Sequence, residues 1–215
     1  AQMCGNGIRC FAKYLYENKI VSKKKISVDT EAGTIIPEVI VNGISRDKDP
    51  VQRVKVDMGE PILSCSDIPF ESRNEKAVEE CLDIRDGIYR ITAVSMGNPH
   101  AVIFVDDVEK VDIKKIGQAI ETHERFPEKT NVEFVQVLNT SELRMRVWER
   151  GSGITLACGT GACAALVAAN LTGRAKETAV IHLDGGDLDI HWDKQTNHIF
   201  KTGPANLVFK GRIMI

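Results

Sequence analysis

Residues 157–164 read Ala157-Cys158-Gly159-Thr160-Gly161-Ala162-Cys163-Ala164, and an apolar run continues from there to Leu171. The run has no charged residue on any face, which predicts a buried, central helix over residues 160–171. The same order of residues stands near the other end of the chain as Cys4-Gly5-Asn6-Gly7. It precedes a second short helix, expected over residues 7–17, with Ile8, Phe11, Ala12 and Leu15 on one face and Lys13 and Glu17 pointing elsewhere. Each motif is followed by small apolar residues and a further cysteine, Cys10 or Cys163. Two copies of one motif point to two related halves facing each other. The expected fold is α+β: two pseudo-symmetric strand-rich domains, each wrapped around a central helix.

The rest of the chain reads mostly as strand. Valine- and isoleucine-rich runs predict strands over 25–30, 34–41, 52–58, 89–95, 101–105, 132–138 and 143–148, and again from 179 to the end. Gly97-Asn98-Pro99-His100 reads as a turn joining two of them, and Asp184-Gly185-Gly186-Asp187 as a hairpin turn. Short helices are expected over 73–81 and 112–124. The polar segment 46–50 is the candidate linker. It divides a first domain, residues 1–49 with 205–215 returning to it, from a second over 50–204. The first domain is expected to be incomplete at its N-terminus, because a catalytic motif on a bare, fraying terminus is physically unfavourable.

Composition narrows the classes of function. With 28 basic and 30 acidic residues the net charge is −2, which gives no reason to expect nucleic acid or a membrane surface as partner. The charge-free stretch 151–173 is too broken by glycine and threonine in its first half to span a bilayer. No secretory leader is visible, and six cysteines in 215 residues do not make a disulfide scaffold. Free thiols in a cytoplasmic protein are therefore expected, and a homodimer is allowed.

A cysteine just before a helix lies in the positive end of the helix dipole, which favours thiolate over thiol. The adjacent glycines let a ligand approach the backbone, and the free N–H groups can hold a carboxylate. Two such motifs face to face can invert a stereocentre, one thiolate removing a proton while the other thiol delivers one to the opposite face. The acidity of an amino-acid α-hydrogen is raised by holding its carboxylate at the helix ends in a dry pocket. No lysine-centred cofactor motif is present, and no cofactor is expected. His182, His191 and His198 lack metal-ligand spacing, so no metal is expected. Gly151-Ser152-Gly153 lacks both the dinucleotide glycine spacing and the Walker lysine.

Four ordered motifs carry a family resemblance along the whole chain. They are Met3-Cys4-Gly5-Asn6-Gly7-Ile8-Arg9-Cys10, Met96-Gly97-Asn98-Pro99-His100, Thr130-Asn131-Val132-Glu133, and Glu149-Arg150-Gly151-Ser152-Gly153 running on through Ala157-Cys158-Gly159-Thr160-Gly161. Together they resemble the diaminopimelate epimerases. Related proline racemases typically carry histidine where Asn6 stands and proline where Ala157 stands. The resemblance implies a pyridoxal-independent isomerase that interconverts L,L- and meso-diaminopimelate for lysine and peptidoglycan precursor synthesis, with a small amino acid as its partner. It implies Cys4 and Cys158 as the acid/base pair, and Gly5, Asn6, Gly159 and Thr160 as the carboxylate cradle. Asn98, Asn131 and Arg150 would hold the distal end of the substrate. Glu149 would receive the ammonium of the reacting centre and, with His100, tune the thiols. In the family a glycine-rich strand with substrate-contacting asparagine precedes the first motif, and the sequence begins after it.

Blander readings stand beside these. Asn98 before Pro99 can simply build the turn, Glu149 and Arg150 can be a solvated strand end, and His100 can be a satisfied core histidine. A proline racemase-like enzyme and a non-catalytic amino-acid-binding module are the rival functions.

Overall fold

The computed structural model describes residues 5–30, 33–41, 51–209 and 211. Cys4 and the candidate linker 46–50 lie outside the described residues. The chain forms two compact units, one of residues 1–57 and 202–215, the other of residues 58–201.

The first unit contains α1 (Gly5–Glu17), β1 (Val28–Thr30), β2 (Gly33–Ile35), β3 (Glu38–Val41) and β4 (Val51–Asp57). β1 pairs antiparallel with β2, and β3 with β4. The helix packs on β3 and β4. Its buried face differs from the expected one: Ile8, Arg9, Ala12 and Lys13 are buried, whereas Phe11 is exposed. Lys13 turns inward because its ammonium has work there, donating to the carbonyl of Val51 at 2.8 Å and pairing with Glu17 at 3.2 Å. A buried ammonium with such partners is tolerable where a bare one is not.

The second unit contains β5 (Glu80–Ile84), β6 (Gly87–Ser95), β7 (Pro99–Phe104), α2 (Ile113–Glu121), β8 (Asn131–Asn139), β9 (Glu142–Glu149), β10 (Gly153–Thr155), α3 (Gly159–Leu171), β11 (Thr178–Leu183) and β12 (Gly186–Trp192). The chain returns toward the first unit within β13 (Ile199–Pro204). The strands lie in the order β12-β11-β9-β8-β7-β6-β5. Two neighbouring pairs are parallel, β7 with β8 and β9 with β11, and each is joined through a helix. Parallel neighbours need such a crossover, whereas antiparallel ones can close with a tight turn, as β11 and β12 do.

The two crossover helices cover opposite faces of this sheet. α3 packs on β6, β7, β8, β9, β11 and β12. Its residues Ala162–Ala169 are buried with Val102, Val135, Met145, Val147 and Ile181 in one core. α2 joins the other core through Ile113, Ile116 and Ile120, with Ala101, Ile103, Val132 and Phe134. Along β8 the alternation sends Val132 and Phe134 to the α2 face, and so Glu133 and Val135 to the α3 face. On β7 the same period sends His100 and Val102 to the α3 face.

The α+β expectation holds, and both special helices begin at their motifs. One expected element is absent: residues 73–76 and 78–79 form bends, and the chain then enters β5. The backbone there bonds sideways, since the carbonyl of Glu75 accepts from Cys65 N–H and that of Ala77 from Ala93 N–H. Glu79 has φ +50°, which a continuing helix does not allow. The expected turn at Gly97 is confined to residues 96–98, because Pro99 and His100 already belong to β7. No helix among the described residues is long and apolar enough to cross a membrane. The described cysteines are all unbridged thiols.

Candidate active site

Cys158 is the N-cap of α3. Its backbone is extended (φ −124°, ψ 114°), and its Sγ accepts the Gly161 N–H at 3.4 Å, as a serine oxygen would in the same place. Thr160 Oγ1 lies 3.5 Å from the same sulfur. The thiol is 5% exposed. Gly159 and Thr160 open the helix, in the first turn where N–H groups lack intrahelical partners and anions are favoured.

Beneath the thiol His100, expected there to tune it, is paired with Glu133, for which the sequence suggested no role. His100 Nδ1 lies 2.7 Å from Glu133 Oε1, and both side chains are fully buried. His100 Nε2 lies 3.1 Å from Asn98 Oδ1. One ligand-type atom from each of His100, Glu133 and Cys158 falls within 4.8 Å of the others. The signal for Glu133 was present, since an acid interrupts the apolar run Val132–Val137 at a position whose register turns it inward. Gly161 makes room for it: a Cβ there would stand 2.5 Å from Glu133 Oε1 and 3.2 Å from Cys158 Sγ.

The electrostatics of the thiol depart from the expectation. Burial, with Glu133 and Glu149 adding repulsion, pushes the Cys158 thiol up to about 12, and the bonds from Thr160 and Gly161 only partly oppose this. In this state the helix end does not make a thiolate, because desolvation and two carboxylates outweigh a partial charge. Burial also pushes the Glu133 carboxyl above its ordinary value, against the pull of His100.

Glu149 and Arg150 close β9. Glu149 Oε1 accepts from Thr155 Oγ1 across the β9–β10 hairpin. α2 sets this corner: Glu121 Oε1 accepts Gly151 N–H at 2.9 Å, and Glu121 Oε2 accepts Trp148 Nε1–H at 2.6 Å. The helix comes this close because Gly117 has no side chain, where a Cβ would stand 2.6 Å from Trp148 Cβ. Asn131 links the same corner to β7, accepting Arg150 N–H at 3.0 Å and donating to the Pro99 carbonyl at 2.8 Å. An amide has two hydrogens and two lone pairs, so each end of Asn131 keeps one valence for a ligand. The Arg150 guanidinium is exposed and donates to the Glu128 carbonyl at 3.0 Å.

The second unit thus brings together Asn98, His100, Asn131, Glu149, Arg150, Cys158, Gly159 and Thr160. In the first unit, Gly5 begins α1 and Asn6 is exposed in its first turn, accepting from Arg9 Nη1 at 3.1 Å.

Comparison with known proteins identifies the family. The sequence profile of the diaminopimelate epimerase family matches residues 1–64 and 92–208. The chain is 61% identical over 214 residues to a diaminopimelate epimerase of Desulforapulum autotrophicum, covering 100% of this chain and 74% of that protein. A diaminopimelate epimerase of Methanococcus maripaludis is 48% identical over 215 residues, again 100% of this chain and 76% of the relative. Among solved structures, a Bacillus anthracis phenazine biosynthesis protein of the PhzF family superposes with a TM-score of 0.67 at 15% identity, over 100% of this chain and 77% of that one. A probable proline racemase from Agrobacterium radiobacter gives 0.65 at 15% identity, over 91% and 63%. At that identity the structural likeness establishes the fold alone. The family profile and these relatives define the class: the chain is an epimerase. Within that class, this chain belongs to the diaminopimelate epimerase family.

Proposed function

We propose that the protein is an isomerase that inverts one α-carbon of L,L-diaminopimelate to give the meso form, by two-base proton transfer between Cys4 and Cys158. The observation that carries this reading is 61% identity to a diaminopimelate epimerase over 214 residues, with both cysteine motifs inside the matched span. The geometry around Cys158 supports it. A thiol capping a helix lies beside the N–H groups that can hold the substrate carboxylate as it gains enolate character. A thiol that rests protonated is ready to deliver its proton to one face of the α-carbon, while the thiolate of Cys4 takes the proton from the other. Glu149 would receive the ammonium, and Asn98, Asn131 and Arg150 would hold the distal end of the substrate. No pyridoxal step is needed. The product serves lysine and cell-wall precursor synthesis, and the working location is the cytoplasm, where the thiols stay reduced.

The direct test is conversion of L,L-diaminopimelate by purified protein, followed by chiral chromatography without added pyridoxal phosphate. Accumulation of the meso isomer supports the reading. Binding without conversion would leave an amino-acid-binding module, and faster turnover of proline would move the activity to the proline racemases.

A further inference from the structure

We infer that Cys158, His100 and Glu133 form a binding site for a thiophilic divalent cation such as Zn²⁺, and that occupation of it holds the thiol out of the reaction. Three observations carry this. The candidate ligand atoms, a sulfur, an imidazole nitrogen and a carboxylate oxygen, already lie within 4.8 Å of one another. In a tetrahedral zinc site sulfur stands at about 2.3 Å and nitrogen or oxygen at about 2.0–2.2 Å, which puts ligand atoms roughly 3.3–3.6 Å apart. Small side-chain rotations of about 1 Å therefore close the shell.

The second observation is Glu133 Oε2, which is buried and has no hydrogen-bond partner. A buried carboxylate oxygen left in this condition is costly, and a metal ion held by both oxygens of the carboxylate would satisfy it. The third is the far side of the imidazole. Nε2 meets Asn98 Oδ1 at 3.1 Å, which leaves Nδ1 facing Glu133. A ligating histidine characteristically gives its other N–H to a carbonyl or carboxylate, which fixes the ring. The sulfur ligand selects Zn²⁺ or Co²⁺ over the oxygen-seeking Mg²⁺ and Ca²⁺. The three ligands come from β7, β8 and the cap of α3, so no spacing in the sequence announces the site.

The balance of charge is favourable. The Cys158 S–H bond breaks and a sulfur–metal bond forms. The proton shared between His100 Nδ1 and Glu133 Oε1 is displaced as nitrogen and oxygen bind the ion. Two protons leave to solvent for one dication, so the buried cluster keeps its net charge. The fourth position stays open to water or to a substrate group.

The test uses the reduced, chelator-washed protein and Co²⁺ as a coloured stand-in for Zn²⁺. One ion per chain should give a saturable thiolate-to-cobalt absorption, which Zn²⁺ bleaches. Cys158→Ser should abolish it. Glu133→Gln and His100→Asn should each weaken binding by about 100-fold or more, and Asn98→Ala by about 10-fold. Cys163→Ser, at a thiol outside the cluster, should leave the titration unchanged. Zn²⁺ should inhibit turnover over the range in which it displaces cobalt, and a chelator should restore it. Absorption that survives in Cys158→Ser, or its absence from the wild type at millimolar cobalt, overturns the inference. Thermal melts check that the variants fold; if Glu133→Gln does not, His100→Asn and Cys158→Ser decide. The spectrum requires no turnover, so its outcome stands apart from that of the epimerase assay.

Discussion

Glu133 Oε1 lies 2.7 Å from Nδ1 of His100, with neither side chain exposed to solvent. The pair is made by register: parallel β7 and β8 set His100 opposite Asn131 and Val102 opposite Glu133, and alternation turns both polar side chains to the face that α3 covers. The N-terminal cap of that helix is Cys158, so one strand pairing and one helix start bring a thiol, an imidazole and a carboxylate together.

Gly161 is the spacer in this arrangement. In Gly161→Ala the new methyl would meet Glu133 Oε1 at 2.5 Å and Cys158 Sγ at 3.2 Å. Both groups must shift, and a displacement of about 1 Å in a catalytic group can cost about 100-fold in rate. The expected result is a fall in kcat of that order in a protein that still folds, read from steady-state kinetics beside a thermal melt. Unchanged kcat would show that neither group is held where the chemistry needs it.

Cys158 should be slow to alkylate at neutral pH. Its thiol is pushed up to about 12. Only thiolate reacts, so the iodoacetamide rate at Cys158 should climb about tenfold per pH unit through pH 10. The exposed Cys10 and Cys81 should be modified first. The same shift bears on stability. The folded state holds this proton more tightly than the unfolded chain, so the stabilisation is complete below the ordinary thiol value of 9.0 and is lost as pH rises from there toward about 12. Peptide mapping of timed alkylations checks the reactivity; a rate that levels off below pH 8 contradicts it.

Gly117 should prove structural in a specific way. Gly117→Ala would set a methyl 2.6 Å from Trp148 Cβ, an atom fixed by its strand. Overpacking of this kind costs about 1–3 kcal/mol. Loss of stability of that size in a denaturant titration is expected. The KM for diaminopimelate should rise with it, because Trp148 and Glu121 hold the corner that carries Arg150. A variant as stable as the parent would mean that α2 can back away from β9.

Much of the fold was legible because its strongest signals are local. The apolar run after Gly161 marked the central helix, and the cysteine motifs marked both helix starts. The failures were tertiary. Residues 73–81 carry helix-forming side chains, but Cys65 and Ala93 take the carbonyls of Glu75 and Ala77 that a helix would need. Lys13 is buried because Val51, distant in sequence, offers a carbonyl. At the site, Cys158 could be named from its motif, but its protonation could not. That depends first on the burial of the thiol and then on Glu133 and Glu149, which strand pairing brings to it.

Arg150→Ala should act on binding. Its guanidinium is exposed and donates to the carbonyl of Glu128, a bond it can exchange for a substrate carboxylate at little cost. A charge-assisted hydrogen bond is worth about 1.5–3 kcal/mol, which corresponds to a rise in KM of about 10- to 100-fold with a smaller change in kcat. A purely catalytic defect with unchanged KM would assign the distal carboxylate to another residue.

The proposed action of two thiols on opposite faces of one carbon can be read out by isotope transfer. L,L-diaminopimelate is incubated in D₂O with the protein, and substrate and product are recovered early in turnover. Solvent deuterium is expected at the α-carbon of the meso product, with almost none in the remaining substrate. Cys4→Ala and Cys158→Ala should each turn over about 100-fold or more slowly while still folded, the scale of losing a general acid or base. Product that retains the substrate hydrogen, or a Cys158→Ala variant as fast as the parent, would contradict it.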